Sequence, residues 1–227
     1  MCSLVVGAGR LGRASRDRVC GGDPACPGCL SAHRPRASAA ATRDLDLGLS
    51  AATLLWDADA RAHLAQGLDL RIEALACRKL IAPGCYAYGG NPPSALETIR
   101  TLGTELGPLV VIDVGYNDGP DEYAEGLNMV MQALVDAHVE RLIWMTLNEH
   151  EDVWIQNNAN IRDAPKRWPQ LVVADWAPVA AENPSWFADL VHLNADGAVG
   201  FAHFLRPIIL TALTNCARAC ELPAATH

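Results

Sequence analysis

Residues 109–123, LVVIDVGYNDGPDEY, open as an apolar run broken once by Asp113 and close on a glycine, an asparagine and an acid. A short run of Leu, Val and Ile reads as a strand buried on both faces, as in the middle of a parallel sheet. The cluster Gly115-Tyr116-Asn117-Asp118 has the composition of a turn. It also sits beyond the carboxyl end of a strand, where open α/β sheets place their ligands. Asn117 either only turns the chain or also aims an amide at something bound there.

Strands and helices alternate on both sides of this run. Toward the N-terminus, LDL (45–47) reads as a short first strand. AATLLWDADARAHLAQG has helical spacing and stops at Gly67. LDLRIEALA (68–76) alternates apolar and polar residues, as a strand near a sheet edge does. PPSALETIRTLG is a helix opened by proline and ended by Gly103. Toward the C-terminus, DEYAEGLNMVMQALVDAH is an amphipathic helix and RLIWMTL (141–147) a strand. IQNNANIRDAPKRW is a helix disturbed near Pro165, and QLVVADW (170–176) a last strand. NADGAVGFAHFLRPIILTAL is a closing helix bent or broken at Pro207. The alternation predicts an α/β fold: a three-layer α/β/α sandwich around a mainly parallel sheet.

The 227 residues are enough for one such domain. We place it at 44–215, with a short tail at 216–227. Residues 1–43 are rich in Arg, Gly, Ala, Ser and Pro and read as a disordered or atypical extension. Within it, LVVGAGRLGRA fits Gly-x-Gly-x-x-Gly through Gly7, Gly9 and Gly12. The residues after it, SRDRVCGGDPACPGC, break the helix that a dinucleotide site requires. A net charge of −8, with no basic stripe, argues against nucleic acid as a partner. No apolar run approaches the roughly 20 residues of a membrane span, and no integral membrane segment is expected. MCSLVVGAGRLGR lacks the pattern of a secretory signal. Cys26 and Cys29 have metal or redox spacing without a second pair to complete a zinc site. Cys77 and Cys85 are suited to a disulfide closing a short loop, which needs an oxidising compartment.

The segments after each strand gather a chemical set. They are Gly48-Leu49-Ser50, a Cys-flanked loop running to Gly89-Gly90-Asn91, then Gly115 to Asp118, NEHEDVW, and WFADLVHLNADG. A serine hydroxyl is a weak nucleophile until a base takes its proton. His192 is the candidate base, and Asp189, three residues earlier, can hold its imidazole in the right tautomer. The oxyanion of acyl transfer needs fixed donors. The Asn117 amide, the Ser50 N–H and a loop glycine at 89 or 90 can supply them. Ser94 is a fallback nucleophile that reads better as the first turn of its helix. Glu149, His150 and Glu151 read as a solvated loop and not as metal ligands. His63, His138 and His203 read as structural histidines on helices. Trp144, Trp176 and Trp186 fit core or pocket walls, and Trp186 with Phe187, just before the Asp-His block, also fits the lining of an acyl pocket.

Gly-x-Asn-Asp after a buried strand, followed late in the chain by Asp-x-x-His-Leu, resembles the SGNH or GDSL hydrolase superfamily over residues 45–213. CRKL (77–80), GYND (115–118) and WFADLVHLNADG (186–197) resemble in particular its actinobacterial secreted members. The resemblance implies a flavodoxin-like α/β/α fold and a serine-dependent ester hydrolase working through an acyl-enzyme. Its substrate would be a small ester, short-acyl or O-acetyl, on a carbohydrate or lipid. It implies a triad of Ser50, His192 and Asp189, an oxyanion hole from Ser50, Gly89 or Gly90 and Asn117, and no metal or cofactor. It also implies secretion, although no signal peptide is visible in the chain. One departure stands out: the family's Gly-Asp-Ser is Gly48-Leu49-Ser50 here, so a non-catalytic carbohydrate- or acyl-binding domain is the alternative.

Overall fold

The computed structural model of the chain describes residues 2–8, 56–87 and 89–219. Its strands are β1 (Cys2–Ala8), β2 (Leu70–Ala76), β3 (Leu109–Asp113), β4 (Arg141–Met145) and β5 (Leu171–Ala174). They form one sheet in the order β2-β1-β3-β4-β5. The helices are α1 (Ala58–Ala65), α2 (Ala95–Leu102), α3 (Pro120–Asp136), α4 (Asp152–Asp163), α5 (Trp176–Glu182) and α6 (Ala195–Ala219). β3, β4 and β5 pair in parallel. β1 runs antiparallel to both β2 and β3, so β2 points the same way as β3. The carboxyl ends of β2, β3, β4 and β5 therefore share one edge.

The period-2 pattern of β3 builds a core on each side of the sheet. Leu109 and Val111 pack with Ala60 and Leu64 of α1, Trp176 of α5, and Phe201, Leu205 and Ile209 of α6. Val110 and Ile112 face the other way, onto Ile99 of α2, and Leu127, Val130 and Leu134 of α3. The result is the expected mixed α/β sandwich, with helices on both faces.

Four sequence expectations change. The first concerns the 1–43 extension: Cys2–Ala8, grouped with it by composition, forms the strand between β2 and β3 and runs in reverse, while residues 45–47 lie outside the described residues. A short apolar run announces a strand, but its neighbours are fixed by long-range pairing that local pattern does not carry. The second is α5, which begins at Trp176, where QLVVADW reads as continuing strand. The third is α6, which runs from Ala195 to Ala219 through Pro207 without a break. Leu205 and Ile209 on either side of the proline are fully buried, so packing holds the helix across the lost backbone bond. Residues 195–214 are also long and apolar enough to cross a membrane by length and composition. Nevertheless, Ala198, Phe201, Ala202, Leu205, Ile209 and Ala212 pack into the domain core. The fourth is α1, which within the described residues starts at Ala58, capped by the Asp57 carboxylate accepting the Ala60 N–H at 2.8 Å.

Of the glycine motif only Gly7 is among the described residues. Gly7 pairs with Arg71 and Val110, near the amino ends of β2 and β3. β1 thus points its carboxyl end away from the edge where the other strands end. Gly9, Gly12, Cys26 and Cys29 lie outside the described residues.

Candidate active site

The carboxyl edge is assembled from four loops. The first follows β2, where Cys77 and Cys85 form a disulfide with Cα atoms 5.2 Å apart. Gly84 sits inside this loop because a Cβ there would collide with the Cys77 carbonyl and the Pro92 ring. The Asn91 amide closes the loop onto the Gly84 carbonyl at 2.7 Å. Gly89 has a left-handed φ of 94°. The Gly90 N–H donates to the Ala87 carbonyl at 3.1 Å, which commits it to the loop. Arg78, fully buried, turns back to donate to the Glu73 carbonyl at 3.0 Å. Ser94 is buried at the start of α2 in a capping box: its hydroxyl accepts the Glu97 N–H, and its own N–H donates to the Glu97 carboxylate. That is a structural role, as its place after Pro93 suggested.

The loop after β3 turns at Gly115, whose φ of 148° and close neighbours exclude a side chain. A Cβ would lie 2.8 Å from the Tyr123 ring and 2.9 Å from Leu147 Cδ1. Asn117 Nδ2 donates to the Arg78 carbonyl at 3.2 Å. Asp118 Oδ1 accepts the Leu80 N–H at 2.9 Å, so the two residues together tie this loop to the first. Burial pushes the Asp118 carboxyl up to about 6, against the opposing pull of the Leu80 N–H and Lys79. Asn157, on α4, donates to the carbonyls of Gly115 (3.1 Å) and Asp118 (3.2 Å).

After β4, Leu147 is held in both directions by the Asn158 amide, which accepts its N–H at 2.7 Å and donates to its carbonyl at 2.8 Å. The Asn148 N–H donates to the Tyr116 hydroxyl (2.9 Å), and Asn148 Nδ2 donates to the Leu190 carbonyl (2.9 Å). Glu149 bonds Asn158 and Arg162. Its carboxylate is thus engaged in ion pairing, and among the described residues no group of three or more His, Cys, Asp or Glu gathers to hold a metal.

The fourth loop lies beyond β5 and α5. Phe187 and Leu193 form an isolated bridge, and the Ala188 N–H donates to the His192 carbonyl at 2.7 Å, so the chain makes a tight turn between them. At its tip the Asp189 carboxylate contacts His192 Nδ1. The other carboxylate oxygen accepts the Val191 N–H (2.9 Å) and the His192 N–H (2.8 Å). Partial burial pushes the Asp189 carboxyl up. Those two donors and the imidazole outweigh it and hold the group below the usual carboxylate range. The His192 side chain is 39% exposed, so the ring is open to an incoming substrate. With Nδ1 turned to the carboxylate, Nε2 is the nitrogen left to exchange a proton. Val191 packs beneath the turn with Tyr116, Leu147 and Trp154. Asn194 ends the turn and starts α6, accepting the Gly197 N–H at 3.0 Å.

The structure thus brings Asp189 and His192 into contact and places the Asn117 loop on the same edge. Ser50 lies outside the described residues. Trp186 and Phe187, both partly buried, pack toward Trp176, with ring centroids 6.2 and 6.4 Å from it. Trp144 is a buried core residue whose indole N–H reaches Tyr123. His63 and His203 stack between α1 and α6. His138 lies just past α3 with a left-handed φ of 62°, not within the helix. Sequence reading missed Asn148, Asn157 and Asn158. For Asn157 and Asn158 the signal was present: paired asparagines inside a helix are poor helix formers and mark side chains with other tasks.

No protein-family model matches the sequence, and no curated protein matches it. Among solved structures, the C-terminal catalytic domain of Streptococcus pneumoniae peptidoglycan O-acetyltransferase A (OatA), carrying a methylsulfonyl adduct, is similar at 20% sequence identity with a TM-score of 0.46. The match covers 70% of this chain and 89% of that one.

Proposed function

We propose that the chain is an SGNH-type esterase that handles acyl groups through a serine ester. The observation that carries this reading is the exposed Asp189–His192 pair, whose turn packs through Val191 against Tyr116 of the Asn117 loop. Ser50 Oγ attacks the ester carbonyl carbon and gives its proton to His192 Nε2. Asp189 stabilises the imidazolium and keeps the ring oriented. The tetrahedral oxyanion receives hydrogen bonds from Asn117 Nδ2, the Ser50 N–H and the Gly89 N–H. Gly89 is preferred over Gly90 because the Gly90 N–H already bonds Ala87. Collapse breaks the bond to the alcohol oxygen, which leaves with the proton from His192. Water then hydrolyses the acyl-enzyme by the same path in reverse. An acceptor hydroxyl in place of water would make the same machinery a transferase. The substrate is a short-acyl or O-acetyl ester on a carbohydrate or lipid.

A second reading is a non-catalytic acyl- or sugar-binding domain. Two observations favour it: Leu49 stands where the resembled family has Asp, and the strand beside β3 is Cys2–Ala8 pointing away from the site. Turnover of p-nitrophenyl acetate separates the two. The esterase reading expects saturable hydrolysis that falls by roughly 10³-fold or more in Ser50→Ala and in His192→Ala. A folded wild-type protein with no turnover would support the binding domain.

A further inference from the structure

Asn148 touches both halves of the proposed machinery. Its main-chain N–H donates to the hydroxyl of Tyr116, the residue before Asn117. Its side-chain amide donates to the carbonyl of Leu190, inside the Asp189–His192 turn. The residue is 2% exposed; its bond to Tyr116 is buried, and its bond to the Leu190 carbonyl is partly buried. Asn148 is itself fixed from behind, because Asn158 grips both backbone groups of Leu147.

The bonds that shape the catalytic turn are local. Asp189 accepts from Val191 and His192, Ala188 donates to His192, and Asn194 Nδ2 donates to Ser185. They fix how His192 faces Asp189 but not where the pair sits relative to Asn117. Val191 packing against Tyr116, Leu147 and Trp154 locates the turn roughly, since apolar contact is not directional. The Asn148 amide supplies the directional link. We infer that Asn148 is a positioning residue, which sets the spacing between the acid–base pair and the oxyanion donor. The inference rests on the acyl-transfer reading above.

Only a donor satisfies the Leu190 carbonyl. Asn148→Asp keeps size and the main-chain bond but places an acceptor against an acceptor, and Asn148→Ala removes the link. A displacement of about 1 Å in a reacting geometry costs on the order of 10²-fold in rate. Steady-state kinetics on p-nitrophenyl acetate should show kcat lowered roughly 10- to 100-fold in each variant, with KM within about threefold of the wild type. The downfield proton resonance of the His192–Asp189 bond should persist, because that bond is local to the turn. A structural role alone would lower the melting temperature and leave kcat of the folded enzyme unchanged. If Asn148→Ala does not fold, the isosteric Asn148→Asp decides. A folded variant with kcat within twofold of the wild type overturns the inference, as does a loss of rate accompanied by loss of the resonance. A wild type that neither turns over nor reacts with a fluorophosphonate fails differently: it removes the acyl-transfer reading, and the inference with it.

Discussion

Asp118 shows how a residue can shape a site without reacting in it. Its carboxylate accepts the Leu80 N–H across to the disulfide loop, and burial raises its titration from 3.8 to about 6. Between those values the native state holds a proton that the unfolded chain has released. The stability this contributes is therefore full below about pH 3.8 and is lost as pH rises through 6. At roughly 1.4 kcal/mol per unit, the swing is about 2–3 kcal/mol. Asp118→Asn keeps an acceptor for Leu80 and carries no charge. Urea unfolding should show the variant gaining on the wild type by about that amount between pH 4 and 7. A difference that stays flat with pH would contradict the assignment. Asn117 and Gly115 were legible as residues, because a turn beyond a buried strand calls for these types. Asn148 was not: the Leu190 it bonds lies 42 positions away, and no local pattern announces that contact.

At the scale of elements, β3, β4 and β5 and the helices between them follow from apolar periodicity and capping signals. Ser94 with Glu97 is such a signal at the start of α2. α5 was hidden because Trp176 and Ala177 resume the apolar run of β5 after a single polar residue, Asp175, which a strand tolerates. β1 was hidden in a different way. Its run reads as a strand, but nothing local says that it enters the sheet between β2 and β3 or that it does so in reverse. From Leu4 to Ala8, β1 has a ladder on both sides, so the backbone N–H groups of this stretch face a partner strand. A proline at its centre has no tolerated position. Val5→Pro should lower unfolding stability by about 3 kcal/mol or more, read from the urea midpoint. An unchanged midpoint would mean that the strand does not belong to the sheet.

Across the whole molecule, one edge carries the chemistry because four strands end there and their loops are tied in a row. Asn117 and Asp118 reach the β2 loop, Asn148 reaches Tyr116, and Asn148 also reaches the Leu190 carbonyl. The order and spacing of Asn117, Asp189 and His192 make that edge readable in the amino-acid sequence. Ser50 is singled out as their partner by its place in Gly48-Leu49-Ser50 alone, and that place lies outside the described residues. The most direct measurement is therefore the site of covalent labelling. The wild-type protein should react with a fluorophosphonate, and peptide mass spectrometry should find the adduct on Ser50. Labelling should be abolished in Ser50→Ala and greatly slowed in His192→Ala. A folded protein that takes no label, or takes it on another serine at a rate indifferent to His192, would contradict the account.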